Sequence, residues 1–120
     1  MKYLFLEYPR CSTCRKAKSW LSENNVEFYD RNIVEENPSF EELENWIKLS
    51  GLDIKKFFNT SGLVYKEMNL KDKLDDMSDK EKIELLATNG KLVKRPLLIS
   101  ENSVLVGFKE EKWKENLKNS

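Results

Sequence analysis

The chain holds two cysteines and no histidine, and the cysteines stand one helical turn apart as Cys11-Ser12-Thr13-Cys14. Such a pair can bind a metal, exchange thiol for disulfide, or serve only to fill space. A zinc site needs four ligands, so here the rest would have to be carboxylates or come from a second chain. Two buried structural thiols, or an idle surface pair, are the other plain accounts. The setting favours redox chemistry. The pair follows a strand-like run and opens a helix, where unpaired backbone N–H groups and the positive end of the helix dipole favour thiolate over thiol. Arg10, Arg15 and Lys16 push the same way. Cys11 is therefore expected to be the acidic nucleophile, and Cys14 is placed to resolve its adducts by closing an intramolecular disulfide. With no histidine there is no Cys-His dyad, and acid–base help must come from carboxylates, lysines, backbone groups or water.

The elements that must position this pair are legible around it. Lys2 to Tyr8 is rich in aromatic and aliphatic residues and stops at Pro9, a strand running into a loop. Ser12 or a neighbour caps a helix with Ala17, Trp20 and Leu21 at helical spacing, ended by Asn24-Asn25. Val26 to Ile33 alternates in part and predicts a second strand, giving a right-handed β-α-β unit with parallel pairing. Pro38-Ser39 opens a helix with Phe40, Leu43, Trp46, Ile47 and Leu49 on one face. Ser39 and Glu42 form a capping box, and Gly51 ends the helix. From Leu52 to Leu86 no strand pattern emerges, and the apolar spacing predicts several short helices. Pro96 to Ser100 and Val104 to Val106 flank a turn-like Glu101-Asn102-Ser103 and predict an antiparallel hairpin, and Glu110 to Asn119 a polar closing helix with Trp113 and Leu117. The order is α/β: a mixed four-stranded sheet interrupted by a helical insert.

At 120 residues, with 39% apolar and 35% charged side chains, the chain reads as one domain, residues 1–120. Its 21 basic residues cancel its 21 acidic ones, so no overall positive field draws it to nucleic acid. The charge is uneven, net +4 over residues 1–20 and net −7 over residues 21–46, so the cysteine end is the positive end. The short apolar run Tyr3 to Leu6, stopped by Glu7, is neither a secretory signal nor a spanning helix. The expectation is a cytoplasmic protein with no membrane partner, in a compartment that keeps thiols reduced.

Arg95-Pro96 is the second feature with chemical meaning. A proline at the start of a strand is ordinarily trans. In a redox domain with this element order, however, the loop before the third strand approaches the cysteines, and a cis-proline there presents backbone to the substrate. The bond before Pro96 is therefore expected to be cis, with Arg95 aimed toward Cys11 for an anion.

Through Tyr8-Pro9-Arg10-Cys11-Ser12-Thr13-Cys14-Arg15-Lys16-Ala17, Arg31-Asn32-Ile33, Phe58-Asn59-Thr60-Ser61-Gly62, Lys94-Arg95-Pro96-Leu97-Leu98 and Val106-Gly107-Phe108, the chain resembles the arsenate reductase and Spx-like family of thioredoxin-fold proteins. The resemblance implies a thioredoxin-like part over about 1–36 and 91–120 and a helical insert over about 38–90. It also implies a choice between two activities. Arsenate reductases of the family attack arsenate with one cysteine, matched by Cys11, hold the oxyanion with three arginines, and are discharged by glutathione and glutaredoxin. Arg95 matches one arginine; Asn59 and Gly107 stand at the other two, and Glu7 stands where those enzymes carry a histidine. Lys55, Lys56 or Lys109 supplies charge but not the bidentate fork. Losing two charge-assisted contacts of about 1.5–3 kcal/mol each weakens anion binding by about two to four powers of ten. Spx-type regulators use the same C-x-x-C as a redox switch and bind the RNA polymerase α-subunit, with Gly51 an approximate counterpart of their contact glycine. A third group shares the C-x-x-C without a settled substrate, and the chain looks most like that group. The resemblance implies Cys11 and Cys14 as catalytic, Ser12, Thr13, Arg15, Arg95 and Pro96 as anion or substrate contacts, no metal and no tightly bound cofactor. Glutathione, or a glutaredoxin or thioredoxin reductant, is the implied co-substrate.

Overall fold

A computed structural model describes residues 2–118. Its sheet has the order β2-β1-β3-β4. Strand β1 (Tyr3–Glu7) pairs parallel with β2 (Phe28–Asn32) and antiparallel with β3 (Leu97–Ile99), which pairs antiparallel with β4 (Val104–Val106). The mixed four-stranded sheet expected from the element order is the one found.

Strand alternation divides the core in two. On one face Tyr3, Phe5 and Leu98 pack against Ala17, Trp20 and Leu21 of helix α1 (Ser12–Glu23) and Trp113 of helix α6 (Glu110–Lys118). On the other, Leu6, Leu97 and Ile99 meet Leu43 and Trp46 of helix α2 (Phe40–Ser50) and the apolar side of the rest of the insert. After α2 the insert continues in short pieces: a 3-10 turn at Ile54–Phe57, helices α3 (Leu63–Glu67) and α4 (Leu70–Lys73), a 3-10 turn at Leu74–Asp76, helix α5 (Asp79–Leu86) and a 3-10 turn at Gly90–Leu92.

Local sequence accounts for most of these boundaries. Asn25 adopts φ 56° beyond the end of α1, a left-handed conformation asparagine tolerates. The capping box of α2 is present: the Ser39 hydroxyl accepts from the Glu42 N–H at 3.1 Å and Glu42 Oε1 accepts from the Ser39 N–H at 3.0 Å. Gly51 closes α2 at φ 68°. A second capping box, Ser78 with Glu81, opens α5.

β2 is shorter than the Val26 to Ile33 read from alternation. Its five residues match the five of β1 one for one. The Val26 N–H instead donates to the Leu21 carbonyl at 2.9 Å, closing the turn after α1. Arg31 then ties β2 to the insert, donating to both carboxylate oxygens of Glu42 at 2.7 and 2.9 Å. That guanidinium is the main reason the Glu42 carboxyl is held below its ordinary range.

The insert returns to the sheet beside the residues that follow its first 3-10 turn. The Asn59 N–H donates to the Leu92 carbonyl at 2.8 Å and the Lys94 N–H to the Phe57 carbonyl at 2.7 Å. Gly90 permits this return, because a Cβ there would lie 1.9 Å from the Ile33 carbonyl oxygen. The short pieces between Phe57 and Lys94 are thereby closed off next to the loop that enters β3.

Candidate functional site

Cys11 is itself the N-cap of α1, with extended backbone at φ −88° and ψ 119° and no side-chain capping bond. Ser12 does not cap the helix; it is the first helical residue and is exposed. Cys11 is half-buried and Cys14 fully buried, and both are free thiols. The loop is held by the Cys11 N–H donating to the Tyr8 carbonyl at 2.9 Å, while the Tyr8 N–H reaches Cys14 Sγ at 3.5 Å.

The two thiols are pushed in opposite directions. Burial by itself raises the Cys11 pKa, but the Cys14 backbone N–H, the Cys14 thiol and the Arg95 guanidinium together outweigh it and leave Cys11 below its ordinary value. Burial is also the largest influence on Cys14. With the thiol oriented toward Cys11, and despite the Tyr8 N–H, it is pushed up to about 12. The pair therefore shares a nucleophilic member and a proton-holding member.

The bond between Arg95 and Pro96 is cis, as expected. The Arg95 guanidinium lies over the Tyr8 ring, 5.0 Å from its centroid, and its Nε and Nη1 are buried without a hydrogen-bond partner. It faces a cavity of about 340 Å³ whose wall includes Cys11, Thr13, Asn59, Ser61, Lys94 and Gly107. Asn59 and Gly107, which stand at the two other arginine positions of the resemblance, thus both border the cavity. Lys109 borders it too, whereas Lys55 and Lys56 open onto a neighbouring groove.

Several residues singled out from the sequence are not brought there. Arg15 is exposed, donates to the Pro9 carbonyl at 2.9 Å, and lines a different hollow with Lys18 and Asp30. Arg10 and Lys16 are exposed, and the cation that lowers Cys11 is Arg95, from a distant part of the chain. Pro96 is buried, and its carbonyl already accepts from the Gly107 N–H at 2.8 Å. Glu7 is 4% exposed and lines the hollow on the other side of α1, 3.4 Å from Lys18. Its pKa is raised, first by burial and then by Asp30. Among the described residues no group of three or more His, Cys, Asp or Glu gathers as a metal site, and no helix is long and apolar enough to cross a membrane.

Tyr8 and Lys94 were missed as site residues. Tyr8 bonds Cys14 through its backbone and carries Arg95 on its ring; the signal was its place immediately before the cysteine loop. Lys94 adjoins the Arg95-Pro96 step and was legible only as part of that loop.

Arg95→Met is expected to raise the midpoint of the pH profile for alkylation of Cys11 by neutral iodoacetamide. A lowered thiol pKa keeps thiolate present down to lower pH, and thiolate is lost as pH falls through that value. Removing the cation moves the loss to higher pH and slows alkylation severalfold at neutral pH. An unchanged profile would take Arg95 out of this role.

The model of the ArsC family matches residues 6–116. Uncharacterized protein YusI of Bacillus subtilis (strain 168) is 53% identical over 116 residues, covering 97% of this chain and 98% of that protein. Regulatory protein MgsR of the same organism is 34% identical over 104 residues, covering 87% and 81%. Among solved structures, one described as "a possible arsenate reductase" from Streptococcus mutans UA159 superposes with a TM-score of 0.86 at 42% identity, covering 93% of this chain and 97% of that one. A thioredoxin-like mixed sheet, a helical insert and a near-complete family match lead to one conclusion: the chain belongs to the ArsC family.

Proposed function

We propose that the protein is a cytoplasmic dithiol oxidoreductase in which Cys11 attacks and Cys14 resolves. The observation that carries the reading is the asymmetry of the pair, a half-exposed thiol lowered beside Arg95 next to a buried thiol pushed up to about 12. Cys11 thiolate attacks one sulfur of a substrate disulfide, and the other substrate sulfur leaves as a thiolate. Cys14 then gives up its proton and attacks the Cys11 sulfur. This closes the Cys11–Cys14 disulfide and frees the second substrate thiol, so two electrons pass from the dithiol to the substrate. Once Cys11 sits in the mixed disulfide, its charge no longer holds the Cys14 proton in place, which lets the resolving step proceed.

The reductant that reopens the disulfide is glutathione with glutaredoxin, or thioredoxin. Ser12, Thr13, Arg95, Lys94 and Lys109 are the proposed surroundings of the substrate, with Arg95 contacting its anionic part. Only one of the three oxyanion arginines of the arsenate reductases is matched, so arsenate is a poor substrate in this reading. The helical insert is proposed to run over about 38–90, and the thioredoxin-like part to comprise the remainder.

NADPH consumption coupled through glutaredoxin or through thioredoxin tests this. Turnover of a disulfide substrate is expected with one of the two couples, with little added by arsenate. Failure of both couples to reduce the Cys11–Cys14 disulfide would refute it.

A second reading is favoured by the similarity to Regulatory protein MgsR and by Gly51, exposed at the end of α2 in a left-handed conformation. In it the same disulfide switches binding to the RNA polymerase α-subunit. A pull-down of that subunit with reduced and oxidised protein separates the two readings.

A further inference from the structure

A larger groove, about 850 Å³, adjoins the Cys11 cavity, and Lys94, Val106, Gly107 and Lys109 border both. Its cations are Lys55, Lys56, Lys94, Lys109 and Lys112, against one lining carboxylate, Asp53. Lys55 is answered by Asp75. Among the described residues the other four have no carboxylate within ion-pair distance. This is a concentrated positive strip on a chain whose net charge is zero.

The floor of the groove is different in kind. Val104, Leu105 and Val106 of β4 line it, together with Leu52, which is 43% exposed. β4 is an edge strand. The Gly107 N–H donates to Pro96 and the Ser100 N–H to Ser103, so Ser103, Leu105 and Gly107 direct their backbone groups toward β3. By the alternation of an antiparallel ladder, Val104 and Val106 turn their N–H and C=O groups outward, and no strand lies beyond them among the described residues.

We propose that this groove seats an extended acidic peptide segment of an oxidised protein, laid along β4 and leading its disulfide sulfur into the cavity at Cys11. The inference rests on the dithiol reading above and names its substrate class. The lysine strip supplies charge complementarity, the outward backbone groups of β4 supply a strand edge for an added strand, and the apolar floor takes alternate side chains. Nucleic acid fits less well: the aromatic rings at the groove, Phe58 and Trp113, are 2% and 1% exposed and offer no face for stacking bases. The chemistry is the same thiol–disulfide exchange, with a peptide cysteine as the sulfur attacked.

The test uses short peptides with one cysteine held as a mixed disulfide with thionitrobenzoate, flanked by glutamates, glutamines or lysines. Attack by Cys11 on the peptide sulfur releases the coloured thionitrobenzoate, and Cys14 then frees the peptide thiol. The mixed disulfide of 2-mercaptoethanol with thionitrobenzoate reports the dithiol chemistry alone. At low salt the acidic peptide is expected to react about tenfold faster than the glutamine peptide, with the lysine peptide slowest and the differences shrinking as salt is added. Lys56→Gln combined with Lys112→Gln should remove most of that preference and leave the rate with the small disulfide unchanged. Equal rates for the three peptides, with the small disulfide reacting normally, would overturn the groove and spare the dithiol reading. No reaction with the small disulfide would overturn the dithiol reading itself. Tighter retention of a single-stranded oligonucleotide than of the acidic peptide would also overturn the proposal.

Discussion

Cys11→Ser is expected to abolish disulfide turnover, by at least about a thousandfold, because a hydroxyl in the same place is not ionised at neutral pH and cannot form the mixed disulfide. Cys14→Ser is expected to have a different outcome. Cys11 still attacks, since Arg95 and the backbone N–H at position 14 remain to favour its thiolate. The adduct then has no neighbouring thiol to resolve it and accumulates as a trapped mixed disulfide. Mass spectrometry of the protein after a single exposure to substrate distinguishes the two variants: no added mass for the first, one substrate thiol added to the second. Equal turnover by Cys11→Ser and the unaltered protein would end the dithiol reading. Rapid release of substrate from Cys14→Ser would show that an external thiol, not Cys14, resolves the adduct.

Trp113→Ala is the largest expected loss of stability, about 3–5 kcal/mol, the range for removing a large aromatic from a packed core. Trp113 is 1% exposed and meets three rings edge-on, with centroids 4.9 Å away for Phe108, 6.1 Å for Trp20 and 6.4 Å for Phe5. Its indole N–H donates to the Gly107 carbonyl at 3.1 Å, inside the core. Alanine leaves a cavity where α1, β1 and α6 meet and orphans that carbonyl. Trp113→Phe keeps one ring and loses the hydrogen bond, so a smaller cost of about 1–2 kcal/mol is expected. Urea unfolding followed by far-UV circular dichroism measures both. A loss below about 1 kcal/mol for Trp113→Ala would mean that α6 does not close this side of the sheet. The residue also bears on the site, because Gly107 and Phe108 border the Cys11 cavity and Trp113 holds them from behind.

Stretches governed by local rules were readable in advance. The periodicity of Ala17, Trp20 and Leu21 marked α1, the Ser39–Glu42 spacing marked the start of α2, Gly51 its end, and Glu101-Asn102-Ser103 the hairpin. In each case the partners lie within a few residues of one another, so pattern and structure share one length scale. The extent of β2 was not readable this way, because its limits follow from the five residues of β1 opposite it.

By itself, then, the sequence determined that a C-x-x-C pair stands at a strand-to-helix junction, that a helical insert divides a mixed sheet, and that an arginine precedes a proline at the next strand. These follow from residue type and short-range spacing. Only the tertiary structure decided which cation faces Cys11. Arg10, Arg15 and Lys16 are neighbours of Cys11 in sequence yet are exposed, and Arg15 is held by the Pro9 carbonyl. Arg95 arrives from a distant part of the chain because the insert folds back through the Phe57–Lys94 and Asn59–Leu92 hydrogen bonds, and Gly90 leaves room for that return. The same closure sets Asn59, Lys94 and Gly107 around one cavity. Electrostatic influence on a thiol depends on distance and burial in space, and neither is a function of separation along the chain.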